Sequence, residues 1–156
     1  GLQWSEIDRD DKLWVIPAIR MKSGKPHEVP LTDQMMVVLN KAKLLNVDNC
    51  LVFPSDVNGR PLSNNTLRQA LQKRLGIDAT VHGMRSAFKD WAAETTNFAN
   101  EVSEMALGHV ISNKVEAAYR RGNLISKRRQ MMEDWSNFLS EREAKIISMQ
   151  TKGVKI

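Results

Sequence analysis

The chain predicts an α+β fold, mostly α-helical, with a small antiparallel β-hairpin or three-stranded sheet near its start and a helical bundle after it. Three observations lead there. Leu13-Trp14-Val15-Ile16-Pro17-Ala18-Ile19 is rich in β-branched and aromatic residues and carries an edge-type proline, so it reads as a strand. Met21-Lys22-Ser23-Gly24-Lys25-Pro26 supplies turn chemistry, and His27-Glu28-Val29-Pro30-Leu31 a second strand, which makes 1–31 a hairpin region with Lys22 and Lys25 at its tip. From residue 32 to about 140, apolar residues recur at helical spacing behind good capping residues.

Thr32 is suited to cap a helix with Asp33 in its first turn, and Met35, Val38, Leu39, Ala42 and Leu45 carry the period to about Asn46. Leu51-Val52-Phe53 is a short apolar segment, and Pro54 to Pro61 is a loop. Ser63 is expected to cap a helix bearing Leu67, Ala70, Leu71 and Leu75 that stops at Gly76. In a helix from about His82 to Glu94, Met84, Ala87, Phe88 and Trp91 form a core face, and His82, Arg85 and Lys89 form a cationic one. Asn100 is placed to cap a short helix ended by Gly108, and Ser112 another that runs to Tyr119. After Gly122-Asn123, a last helix carries Leu124, Met131, Trp135, Phe138 and Leu139, with Lys127, Arg128 and Arg129 adding to a basic surface. The polar stretch 141–156 is expected to be a tail that frays or docks on a neighbouring protomer.

With 156 residues, 42% of them hydrophobic, the chain is long enough for one domain with a proper core. A net charge of +5 and a pI near 9.5 favour an acidic partner without naming one. The lone Cys50 excludes an internal disulfide and reads as an ordinary buried thiol. No run of residues is apolar over membrane-spanning length, so a soluble, cytoplasmic protein is expected. The opening Gly1-Leu2-Gln3-Trp4 has no initiator Met and reads like the middle of a domain, so a piece of a longer protein is expected.

Tyr119 is the only tyrosine and stands directly before Arg120 and Arg121, ten residues after His109. Taken alone it reads as a surface residue. Neighbouring cations, however, ease formation of a phenolate and favour phosphate. The spacing shows no Ser-His-Asp set, metal-ligand pattern or phosphate-cradling glycine loop. What remains is a tyrosine, an Arg–His helix face, a second histidine and a hairpin lysine, a set able to transfer a phosphoryl group.

At these residues the chain resembles the tyrosine recombinases, or phage integrases. His82-Gly83-Met84-Arg85 is similar to that family's H-x-x-R box, Leu107-Gly108-His109 to its L-G-H box, and Tyr119 to its nucleophile. Lys22, ahead of Val29-Pro30-Leu31, is similar to its β-hairpin lysine, with Lys25 the less favoured register. Leu2-x-Trp4-Ser5-Glu6-Ile7-Asp8, Phe88-x-x-Trp91-Ala92 and Val115 to Arg121 also resemble prophage-type members, so the resemblance covers roughly Leu2 to Leu139. Any one box is weak; four in order and spacing are specific.

The resemblance implies catalytic roles for Tyr119, Arg85, His82, His109 and Lys22, with Lys25, Lys89, Arg120 and Arg121 as DNA contacts. It implies no cofactor and no metal. Its implied partners are double-stranded DNA attachment sites, a homotetramer of the intact protein and accessory DNA-bending proteins. One departure is that the family's first arginine belongs upstream of Trp4, and Arg9 and Arg20 are poor substitutes. The chain is therefore expected to be a truncated catalytic domain, severely impaired by itself. Three readings stay open beside recombination: relaxation of DNA by a type IB topoisomerase, DNA binding without catalysis, and a helical protein with no nucleic-acid function.

Overall fold

In the computed structural model the described residues are 1–45, 49–55, 59–63, 65–109 and 122–153, the side chains of 142–153 excepted. Three short strands, β1 (Ile7–Asp8), β2 (Leu13–Ile16) and β3 (His27–Pro30), form an antiparallel sheet in the order β1-β2-β3. Asp8 turns the chain between the first two by accepting the backbone N–H groups of Asp10 and Asp11 at 3.0 and 2.9 Å. Trp14 lies opposite both Ile7 and Val29, and Ile16 opposite His27.

The expected strand to Ile19 ends instead at Ile16. Pro17 has no N–H to donate, and Ala18–Arg20 wind into a 3₁₀ turn that leaves Ile19 exposed. The β2–β3 connection is therefore a ten-residue loop, 17–26, rather than a tight turn.

One face of the sheet packs on helix α1 (Asp33–Leu45), burying Leu31, Leu39, Ala42 and Val52 with Trp4, Ile7 and Trp14 around them. Residues 50–52 reach this cluster by pairing with the chain start: Trp4 N–H donates to the Cys50 carbonyl and Val52 N–H to that of Leu2. This pairing leaves Cys50 exposed, contrary to the buried thiol expected. Thr32 caps α1, its hydroxyl accepting Met35 N–H at 3.3 Å. Ser63 does not cap the next helix; its hydroxyl meets that of Thr66 at 2.9 Å. That helix, α2 (Thr66–Gln69), widens into a π-helical turn (Ala70–Arg74) before stopping at Gly76, φ +63°, and its Leu67 and Leu75 face outward.

The second cluster joins α3 (Val81–Thr95), α4 (Asn100–Ala106) and α5 (Ile125–Gly153). Phe88, Trp91, Ala92, Val102 and Met131 are buried there. The Trp135 ring stands edge-on to Phe88 (5.5 Å, 86°) and packs on Trp91 and Phe138. Met84 and Ala87, expected on this core face, are exposed, and the buried face of α3 begins at Phe88. Helix α5 continues to Gly153 through the stretch expected to be a tail, since nothing from Glu141 to Lys152 breaks a helix.

Helix α5 also ties the two clusters together. The Ser136 hydroxyl lies 3.3 Å from that of buried Thr32. Arg128, expected to join a basic surface, is 2% exposed and donates to the carbonyls of Glu28 and Asn123. Arg129 donates to those of Asp11 and Lys12. These guanidiniums satisfy backbone acceptors of the sheet rather than facing solvent together.

Candidate active site

The site is built on the end of α4. Gly108 adopts φ +71°, and the turn closes by two bonds, Gly108 N–H to the Met105 carbonyl (3.1 Å) and His109 N–H to that of Glu104 (3.0 Å). This is the Schellman arrangement, which satisfies two of the last four carbonyls of a helix. The other two belong to Ala106 and Leu107. Each is taken by a side chain from a different element.

Leu107 is served by α3. Thr80 caps that helix, its hydroxyl accepting Gly83 N–H at 2.9 Å, which sets His82 in the first turn and Arg85 one turn later. Arg85 Nη2 donates to the Leu107 carbonyl at 2.7 Å and lies 2.9 Å from Nε2 of His109. Nδ1 of the same imidazole lies 2.7 Å from Oε2 of Glu104. A guanidinium only donates, so Nε2 must accept and Nδ1 carry the proton: a neutral His109 fixed in one tautomer. Both contacts use one nitrogen of Arg85, so Nε and Nη1 of the guanidinium fork lie outside them.

Glu104 is in turn held by Lys89, whose ammonium lies 2.5 Å from Oε1 and also donates to Asn100 and Ser103 at 2.5 and 2.7 Å. The Lys89 bond, and after it the His109 bond, keeps the Glu104 carboxyl below its ordinary range. Such a group adds stability that is complete above about pH 4.5 and is lost as the pH falls through the lower folded-state value. Glu104→Gln is therefore expected to cost about 1 kcal/mol near neutrality, the range for a partly exposed pair. The gap from wild type should narrow in acid, as urea midpoints at pH 7 and pH 3.5 will show.

Ala106 is served by the sheet. His27, at the start of β3, bonds to its carbonyl. Burial first, then the charge of Arg128, holds the His27 imidazole below its ordinary range, against the pull of that bond. A Cβ on Gly108 would lie 3.6 Å from Nε2 of His27 and 3.5 Å from Cε of Met21. Glycine is thus needed here for its positive φ, while a Cβ would meet these atoms at ordinary van der Waals distance.

Of the residues singled out in the sequence, Arg85 and His109 are in direct contact, and Lys89 joins them through Glu104. His82 is exposed, one turn ahead of Arg85. Lys22 and Lys25 are exposed in the 17–26 loop, Lys22 next to the Met21 that approaches Gly108. Tyr119, Arg120 and Arg121 lie outside the described residues. The sequence reading missed Glu104 and His27. Glu104 had a signal, as an acid three residues before the L-G-H box; His27 had only its place beside Glu28-Val29-Pro30.

Among the described residues no group of three or more His, Cys, Asp and Glu side chains could hold a metal ion, and no helix is long and apolar enough to cross a membrane. A lysine and a histidine on one carboxylate, with an arginine behind the histidine, make a site suited to binding an anion and stabilising charge on it.

The chain is 35% identical to the prophage integrase IntA of Escherichia coli K12 over 145 residues, which is 91% of this chain and 35% of that protein. It is 33% identical to the integrase of Enterobacteria phage P4 over 165 aligned positions, 94% of this chain and 37% of that one. The chain thus spans little more than a third of the length of these curated relatives. No solved structure matches it significantly. The family model described as the phage integrase family matches residues 1–124, from the chain start across the sheet, α1, α3 and the L-G-H turn, and on that match the chain belongs to the phage integrase family.

Proposed function

We propose that the protein carrying this chain is a site-specific DNA recombinase that integrates or excises a mobile element through a 3′-phosphotyrosyl intermediate. The observation that carries this reading is the contact of Arg85 with the Leu107 carbonyl and His109, which joins two boxes 22 residues apart into one anion clamp. Tyr119 Oη attacks the phosphorus of a DNA phosphodiester and the bond from phosphorus to O5′ breaks. Lys22 gives its proton to the departing 5′-hydroxyl, and the phenolic proton passes to His82. Arg85 donates to the non-bridging oxygens, where charge grows in the transition state, and His109, held by Glu104, keeps that guanidinium in place. The phosphotyrosyl bond stores the energy of the broken one, so a 5′-hydroxyl from a second strand reseals it without a nucleotide cofactor. Double-stranded attachment sites are the substrate, synapsed by a homotetramer with accessory DNA-bending proteins. Lys25, Arg120 and Arg121 face the DNA backbone. Lys89 acts behind the clamp, through Glu104.

The test uses the full-length protein and a nicked duplex bearing its attachment site, so that the cleaved end diffuses away and the covalent adduct accumulates. An adduct that survives denaturation, with the nucleotide mapped by mass spectrometry to the peptide containing Tyr119, is the expected result. An adduct mapped to another residue overturns the nucleophile. DNA binding without any adduct overturns the reaction and leaves a binding module. Because Tyr119 is the only tyrosine of the chain, the mapping is unambiguous within it.

A further inference from the structure

The 17–26 loop, which carries Lys22, leaves β2 at Ile16 and returns at His27, and these two residues face each other across the sheet. The loop is exposed at Lys22, Ser23, Gly24 and Lys25, and the Gly24 N–H bonds only locally, to the Met21 carbonyl. Sheet pairing by itself therefore leaves the lysine free to swing. Arg20 ties the first part of the loop to Glu6 and the Gly1 carbonyl, and on the far side of that tie the loop lands on Gly108. Met21, immediately before Lys22, and His27, at the returning stem, both approach the one α-carbon of the L-G-H turn, and His27 bonds to the Ala106 carbonyl as well.

We propose that His27 is a positioning residue: seated on Gly108 and bonded to the Ala106 carbonyl, it locks the lysine loop onto the same helix end that holds Arg85 and His109. The helix end has two carbonyls beyond its own closing bonds, and one is gripped by the arginine of the clamp and the next by the hairpin. The two halves of the reaction, stabilising the phosphate and protonating the leaving oxygen, thereby share one backbone reference point. An error of about 1 Å in such placement costs on the order of 100-fold in rate. The imidazole suits the task as a neutral group. Arg128 on α5 and Arg85 on α3 disfavour its charged form, Glu28 beside it on β3 favours it, and burial decides for neutrality.

The inference rests on the proposed role of Lys22 as the proton donor, and the experiment separates the two. Single-turnover cleavage by the full-length protein is compared on an ordinary phosphodiester and on one whose bridging 5′-oxygen is replaced by sulfur. With sulfur the bond from Tyr119 Oη to phosphorus forms, the phosphorus–sulfur bond breaks, and a thiolate leaves without needing a proton.

Wild type, Lys22→Ala, His27→Phe, His27→Asn and His27→Gln are compared by the ratio of the two rates. Any inactive fraction of a preparation cancels from that ratio. His27→Phe is expected to slow the ordinary substrate by about 10- to 100-fold, part of the range lost with a general acid, and the sulfur substrate by much less. Its ratio should therefore rise as it does for Lys22→Ala. The better of the Asn and Gln variants, which keep an N–H for the Ala106 carbonyl, should return toward wild type, and either supplies the ratio if the Phe variant does not fold. A raised ratio for Lys22→Ala with a wild-type ratio for the His27 variants overturns this proposal alone. An unchanged ratio for Lys22→Ala overturns the proton-donor reading and this proposal with it.

Discussion

Arg85→Ala in the full-length protein is expected to lower the rate of DNA cleavage by about 10²- to 10³-fold, the loss typical of removing one donor aimed at developing charge. The defect should lie in the rate with DNA saturating rather than in affinity, because phosphate contacts spread along the duplex carry most of the binding. Arg85→Lys should recover little. An ammonium is a point charge; it cannot hold the Leu107 carbonyl and His109 while presenting a planar fork to the phosphate. The fold should survive both changes, since Arg85 is exposed. Single-turnover kinetics beside a thermal melt check the pair. A cleavage rate unchanged in Arg85→Ala would remove the clamp from the mechanism.

Met131→Ala is expected to cost about 2–5 kcal/mol, the range for emptying a core site that cannot collapse. Met131 is fully buried where Phe88, Trp91, Ala92 and Val102 meet, and the aromatic rings around it are fixed against one another. Rigid rings relax poorly into a cavity, which places the cost toward the upper half of that range. Against a usual total of about 5–15 kcal/mol the loss is severe. Met131→Leu should cost less than about 1.5 kcal/mol, since volume and polarity are nearly kept. Urea unfolding with an unchanged slope measures both. An alanine variant within 1 kcal/mol of wild type would mean that the cluster repacks.

The helices and the sheet were legible because their periods are strong. The stripe Met131, Trp135, Phe138 and the pair Phe88, Trp91 needed no structure to be recognised as core. Where the reading failed, the deciding partner lay far along the chain. Lys89 does share a helix face with Arg85, but whether DNA or Glu104 awaits it depends on how α4 packs. Ile19 is the local exception, since Pro17, two residues before it, cuts a good strand pattern short.

Arg128 was misjudged although the signal was present. It stands three residues before Met131 and seven before Trp135, so the stripe points it inward although it lies within a basic run. In the site, the boxes named Arg85 and His109 without their geometry, since sequence spacing says nothing of a bond across 24 residues. His27 was out of reach for a different reason. Its partners are a main-chain carbonyl and the hydrogen of a glycine, and neither leaves a mark in side-chain identity.

The ties made by α5 have a consequence in time. Arg128 reaches Glu28 across 100 residues, Ser136 reaches Thr32 across 104, and Arg129 reaches Asp11 across 118. Closing such loops is entropically costly before any contact rewards it, so these bonds form late. On the ribosome the sheet emerges before α5 and has to wait with the Glu28 and Asp11 carbonyls unserved by their guanidiniums until Arg128 and Arg129 follow. The lysine loop hangs from that sheet. A nascent chain therefore completes this framework only after residues 128 to 136 have been made, and a chain interrupted before Arg128 should remain a substrate for chaperones and proteases.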